Sequence, residues 1–192
     1  MHSPNNNLSN MNISITTKNM AMVGLMTALI CILAPFSLSI PISPVPISLA
    51  TMAIYFAIVV LGMKLGSLSV TLYLLLGLAG LPVFSGFSGG AGKLFGPTGG
   101  YLIGYLFMAF ICGFFIDHWR SNIPVTLLGM LLGTTVCYLF GTAWLAYQLS
   151  LPFYRALMLG VIPYIPGDLI KLTGSMLLGY HLRKRLVQAS IL

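Results

Sequence analysis

Apolar positions run in long blocks along this chain, and Pro, Gly or charged residues separate the blocks. Stretches near 20–40, 47–62, 65–83, 98–116, 124–149 and 157–181 have the length and apolarity of candidate spanning helices. None alternates with period two, and lipid offers backbone groups no water, so helices rather than barrel strands are expected. The pattern predicts an all-α integral membrane protein, a compact six-transmembrane-helix bundle over residues 20–185. A flexible cytoplasmic tail is expected at 1–19 and a cytoplasmic C-terminal end at 186–192. Pro35, Pro163 and Pro166 should kink or interrupt the first and last spans.

Composition agrees with a membrane protein. Of 192 residues, 58% are hydrophobic and 6% charged, with a mean hydropathy of +0.99, against roughly 25% charged in a soluble domain. The net charge of +7 sets nine Lys/Arg against Asp117 and Asp168. Those bases are scattered apart from Arg183-Lys184-Arg185 and lack interleaved aromatics, which argues against nucleic-acid binding.

Instead they report orientation. With the N-terminus inside, Lys18, Lys64, Arg120 and Arg183 to Arg185 fall on the cytoplasmic face, leaving Lys93 and Arg155 outside. That distribution satisfies the positive-inside rule, so both termini are expected in the cytoplasm of a prokaryotic cell, with the chain multi-pass in its plasma membrane. The Asn-rich start lacks the basic and apolar regions of a cleaved signal, and its patterns at Asn7 and Asn12 would stay unglycosylated on the inner side. Cys31, Cys112 and Cys137 lie in apolar segments without CxxC spacing, so no disulfide, metal site or cofactor is expected.

This topology gives the outer face three unusual connections: "SIPISPVPIS" (39–48), "PVFSGFSGGAGKLFGPTGG" (82–100) and "SLPFYRA" (150–156). Rich in Pro, Gly and Ser, they suit lids or binding elements as well as turns. Gly92-Lys93 resembles the end of a phosphate loop, but Phe87 and Leu94 occupy positions where that motif requires Gly and Ser/Thr. Gly100 and Gly104 form a small face for helix packing. Tyr101 lies one turn into the bundle, where its ring could stack on a ligand or anchor the interface.

The last span carries Asp168 and Lys171, three residues apart and so on one helix face, with Ser175 a turn further and Tyr164 above. Each such charge costs about 2.5 to 3.5 kcal/mol near a membrane centre, which favours a cavity or a partner. Pro166 at a helix start with Asp168 in the first turn could be simple capping, but capping leaves Lys171 unexplained because the dipole disfavours a cation there. A self-neutralising ion pair is a second explanation. The third is recognition: a carboxylate acceptor beside an ammonium donor suits a neutral planar group bearing N–H and C=O.

Together, "SPVPISL", "YLLLGLAGLPVFSGFSGGAGKLFGPTGGYLIGY" and "IPGDLIKL" resemble the BioY family, the biotin-binding S components of energy-coupling-factor (ECF) transporters. The resemblance covers nearly all of the chain beyond residue 20. It implies that biotin is captured from outside and held beneath the outer loops. Asp168 and Lys171 would recognise the ureido ring, with Tyr164 nearby. Ser85, Gly89, Gly90 and Tyr101 would enclose the ring system. Lys93 or Arg155 would be candidates for the valerate carboxylate. The chain departs from the pattern at Ala50, where similar members carry Gln.

Nothing in the sequence can hydrolyse ATP, so active uptake would need partners. The resemblance implies a transmembrane coupling subunit and two ATPase subunits. Ala21, Gly24 and Ala28 on the first helix offer a docking face. The rival reading is a stand-alone secondary carrier or facilitator for a small organic solute. An intramembrane enzyme is disfavoured: His118 and His181 lie at the inner ends, and no Ser/His/Asp or HExxH grouping occurs.

Overall fold

The computed structural model describes residues 16–39, 41, 43–119 and 122–189. Most of the tail expected at 1–19, both Asn-X-Ser patterns, Arg120 and the last three positions lie outside these. The first helix, α1 (Thr17–Leu33), stops short of the span expected to reach 40, because Pro35 follows and has no N–H with which to continue the helical hydrogen bonds. Next comes a short antiparallel hairpin that the apolar pattern does not reveal. Strand β1 (Ser37–Leu38) pairs with β2 (Ile47–Ser48) in the register Ser37 to Ser48 and Leu38 to Ile47. The Ser48 hydroxyl donates to the Ala34 carbonyl at 2.8 Å, tying the hairpin to the end of α1.

Helix α2 (Ala50–Leu78) holds the second and third expected spans in one continuous assignment, broken at Gly62 with φ 80° and ψ −171°. Residues eight apart in an unbroken helix would be about 12 Å apart along the axis. Here a Cβ on Gly66 would lie 3.0 Å from Ile58 Cα, so the two arms fold back on each other. Asp117 latches this turn by accepting the Met63 amide proton at 2.9 Å. It lies exposed at the end of α4 (Gly99–His118), against Gly62.

The long connection between α2 and α4 is closely fastened. Phe84 is fully buried and its ring fills the space that Gly77 leaves. Phe84 and Ser88 exchange backbone hydrogen bonds across a tight turn, and the Gly90 amide donates to the Gly77 carbonyl at 2.7 Å. A short helix, α3 (Ala91–Leu94), then leads to α4. There follow α5 (Ile123–Gln148), α6 (Phe153–Gly160), a single 3-10 turn (Ile162–Tyr164) and α7 (Ile165–Gln188). The interruption falls where Pro163 and Pro166 were expected to place it, and Pro166 sits in the first turn of α7, where its missing N–H costs nothing.

Among the described residues, four helical stretches have by length and composition enough apolar sequence to cross a membrane: Ala50–Leu78, which folds back at Gly62, Gly99–His118, Ile123–Gln148 and Phe153–Gln188. Helix α1 is shorter. Helix α4 packs between α2 and α5, while α2 also carries α1 and α7. Close approach between α4 and α5 depends on glycines, with Gly100 against Trp144, Gly104 against Cys137 and Gly133 against Cys112. Large apolar side chains on the outer faces of α5 and α7, among them Leu132, Leu139, Ile170 and Leu177, remain exposed, as lipid-facing residues would be.

Candidate functional site

Helix α7 supplies the charged centre. Because Asp168 and Lys171 are one turn apart, Lys171 Nζ reaches Asp168 Oδ1 at 2.9 Å. The two side chains are only 11% and 13% exposed. Lys171 Nζ also donates to the Ser48 carbonyl at 2.8 Å, at the end of β2. Farther down the same face, the Ser175 hydroxyl donates to the Met52 carbonyl at 3.0 Å, so the polar stripe of α7 lies along the first arm of α2.

Asp168 has more partners than its own helix provides. The Tyr138 hydroxyl on α5 donates to Oδ2 at 2.5 Å, and Thr51 on α2 approaches Oδ1 at 3.4 Å. The carboxylate thus meets an ammonium, a phenol and a hydroxyl from three helices, which offsets the cost of burying its charge. Tyr138 and Thr51 escape a search for charges. Tyr138 does leave a trace, since Thr134, Tyr138 and Thr142 recur every fourth residue in a mostly apolar span.

This cluster lines a small hollow, bounded also by Val45, Tyr101, Tyr105 and Gly160. The segment 43–48 roofs it. The Tyr164 hydroxyl holds that roof by donating to the Val45 carbonyl, and Ser43 donates to the Leu159 carbonyl at 2.7 Å. The walls include Tyr105, Cys137 and Tyr101, whose hydroxyl donates to the Gly160 carbonyl at 3.1 Å. Tyr138 and Asp168 also border a groove between α5 and α7 on the outer surface of the bundle.

Of the residues singled out from the sequence, Asp168, Lys171, Tyr101 and Tyr164 meet in this hollow. Ser85 lines an adjoining lobe, together with Ala50. The four others line neither space. A Cβ at Gly89 would collide with the Leu81 carbonyl, and Gly90 takes φ 84°, so both glycines serve the folding of their own loop. Lys93 is half-buried on α3 and Arg155 is exposed on α6. Ala21, Gly24 and Ala28 form an exposed row on α1, with nothing within 4 Å of a Cβ built on Gly24.

Comparison with known proteins gives this geometry a family. The family model for BioY matches residues 6–188. A probable biotin transporter BioY of Pyrococcus horikoshii is 39% identical over 166 residues, covering 86% of this chain and 96% of that protein. The biotin transporter BioY of Thermotoga maritima is 38% identical over 161 residues, covering 84% and 93%. A crystal structure of the S-component for biotin from an ECF-type ABC transporter superposes with a TM-score of 0.83 at 36% identity, covering 91% of this chain and 95% of that one. The chain belongs to the BioY family.

Proposed function

We propose that this chain is the biotin-binding substrate-specificity component of an ECF-type uptake transporter. The observation that carries the proposal is the buried Asp168–Lys171 pair in the wall of a roofed hollow. A ureido group offers N–H donors to the carboxylate and a carbonyl acceptor to the ammonium. Binding would exchange part of the pair's internal bonding, and Lys171's bond to Ser48, for bonds to the ligand. Tyr101 would supply an aromatic wall and Tyr164 would hold the roof over the ring system.

We further propose six crossings with both termini in the cytoplasm of a prokaryotic cell. Gly62 would turn the chain at the inner face, where Asp117, Lys64 and Arg183 gather. The β1–β2 hairpin and the 82–98 connection would then face outside, making the hollow a site for external capture. Concentrative uptake would rest on a transmembrane coupling subunit and two ATPases, the former docking on the small-residue row of α1.

Native mass spectrometry of the purified protein tests the ligand, with bound biotin expected. Reconstitution alone in liposomes tests the partner requirement: binding without accumulation is expected, and concentrative uptake driven by an ion gradient would overturn it.

A further inference from the structure

Between the ends of α5 and α7 the chain makes one more helix, α6, which neither span requires. The part of α7 ahead of Arg183 rises about 27 Å at 1.5 Å per residue, close to a hydrocarbon core of about 30 Å. With α7 crossing alone, α6 is left at the membrane surface, at the end of the bundle where the roof lies. Its residues divide by face. Ala156 and Gly160, four apart, are buried, and Ala156 packs with Leu145 and Tyr101. Tyr154 and Met158, also four apart, are exposed, Tyr154 by 66%, and Arg155 is exposed beside them.

Three observations point to lipid headgroups as what covers this face. Exposed aromatic side chains recur along the stretch, with Tyr147 81% exposed at the end of α5 and Phe153 opening α6, and tyrosine favours the layer between headgroups and acyl chains. No acidic side chain is left for Arg155: the chain has two, and Asp117 is held at the Gly62 turn while Asp168 is buried against Lys171 and Tyr138. The anion it suits must come from outside the protein. Finally, α6 packs on α5 and α1 packs on α2, which sets this face apart from the small-residue row proposed for subunit docking.

We infer that α6 is an interfacial anchor, lying in the headgroup layer with Tyr154 and Met158 toward the acyl chains and Arg155 on a lipid phosphate. Only the crossing of α5 and α7 is presupposed, and the identity of the transported ligand is not. The anchor bears on the hollow because the roof is tied to it. The Leu159 carbonyl accepts from Ser43, the Gly160 carbonyl accepts from Tyr101, and Tyr164, in the next turn, donates to Val45. Headgroups thus hold one side of the cover in place.

A spin label on Met158→Cys, in a Cys31→Ser background that leaves only the buried Cys112 and Cys137, reads the depth of α6 in phosphatidylcholine nanodiscs. Oxygen should reach the label more readily than a water-soluble nickel chelate does. Free access of the chelate would put α6 in water, leave its face to a protein partner and overturn the anchor. Melting temperature reads Arg155 in nanodiscs of phosphatidylcholine and of digalactosyldiacylglycerol, a bilayer lipid without phosphate. Arg155→Gln should melt about 1 to 3 °C below the wild type in the first lipid and level with it in the second, while Arg155→Lys should keep the wild-type value in both. An equal deficit in both lipids, or none in either, would overturn the phosphate contact. A deficit that arises in detergent on adding inorganic phosphate would give the contact to a free anion and overturn the lipid as its source.

Discussion

The Tyr138 hydroxyl donates to Asp168 Oδ2 at 2.5 Å and joins α5 to α7 across the hollow. With Lys171 on the other carboxylate oxygen, the two contacts fix the plane of the acid before any ligand arrives. Such preorganisation lowers the ordering cost of binding. Tyr138→Phe keeps the ring and removes the donor, so biotin affinity should fall by about three- to tenfold. Titration calorimetry checks it, and unchanged affinity would show that Lys171 alone aims the carboxylate.

Asp168→Asn and Lys171→Ala should each weaken biotin binding by about 1.5 to 3 kcal/mol, the worth of a charge-assisted partner. Their effects on stability should differ. Lys171→Ala leaves a buried carboxylate without its counter-charge, whereas the double variant removes the charge as well. Thermal unfolding without ligand should therefore rank Lys171→Ala below Asp168→Asn/Lys171→Ala. Full biotin affinity in either single variant would make the pair a purely structural feature.

Gly62→Ala should destabilise the fold by about 1 to 3 kcal/mol, because φ near 80° disfavours an L side chain. A Cβ there would also lie 2.5 Å from Asp117 Oδ1. Asp117→Asn keeps the size and an acceptor and should cost less. Monodisperse yield and apparent melting temperature in detergent read both effects.

Burial holds the Lys93 amine below its ordinary 10.5. A lysine depressed in the folded state binds fewer protons there than when unfolded, so stability rises with pH between the folded value and 10.5. The melting temperature of the wild type should therefore gain on that of Lys93→Gln as pH is raised through that window. A constant difference across the range would show that Lys93 is as hydrated in the fold as out of it.

How far the chain could be read without coordinates varied with the physics involved. Hydrophobic length located the helical regions, and Pro163 and Pro166 marked the break before α7, because both signals are local. The turn at Gly62 was legible only as a gap between two apolar blocks, and the partner that fixes it, Asp117, lies 54 positions beyond the Met63 amide that it binds. The β1–β2 pair has two residues on each strand, too few to show alternation. Within the site, the i,i+3 rule brought Asp168 and Lys171 together, since one helix turn fixes their separation. Tyr138 and Thr51 reach Asp168 from other helices, and spacing along a chain carries no information about such contacts. Lys93 and Arg155 were chosen for charge and side of the membrane alone, which gives a face and not a cavity wall.

The fold-back at Gly62 also sets a thickness. The arms 50–61 and 63–78 rise only about 18 and 24 Å at 1.5 Å per residue, short of a hydrocarbon core of about 30 Å. With each arm crossing once, as proposed above, lipid around them would thin, or the irregular roof at 43–48 would sink toward the acyl chains, where its backbone groups would have less water. Bilayer thickness thus becomes a variable of the binding site: thin membranes favour an accessible roof, and thick ones press on the cover of the hollow.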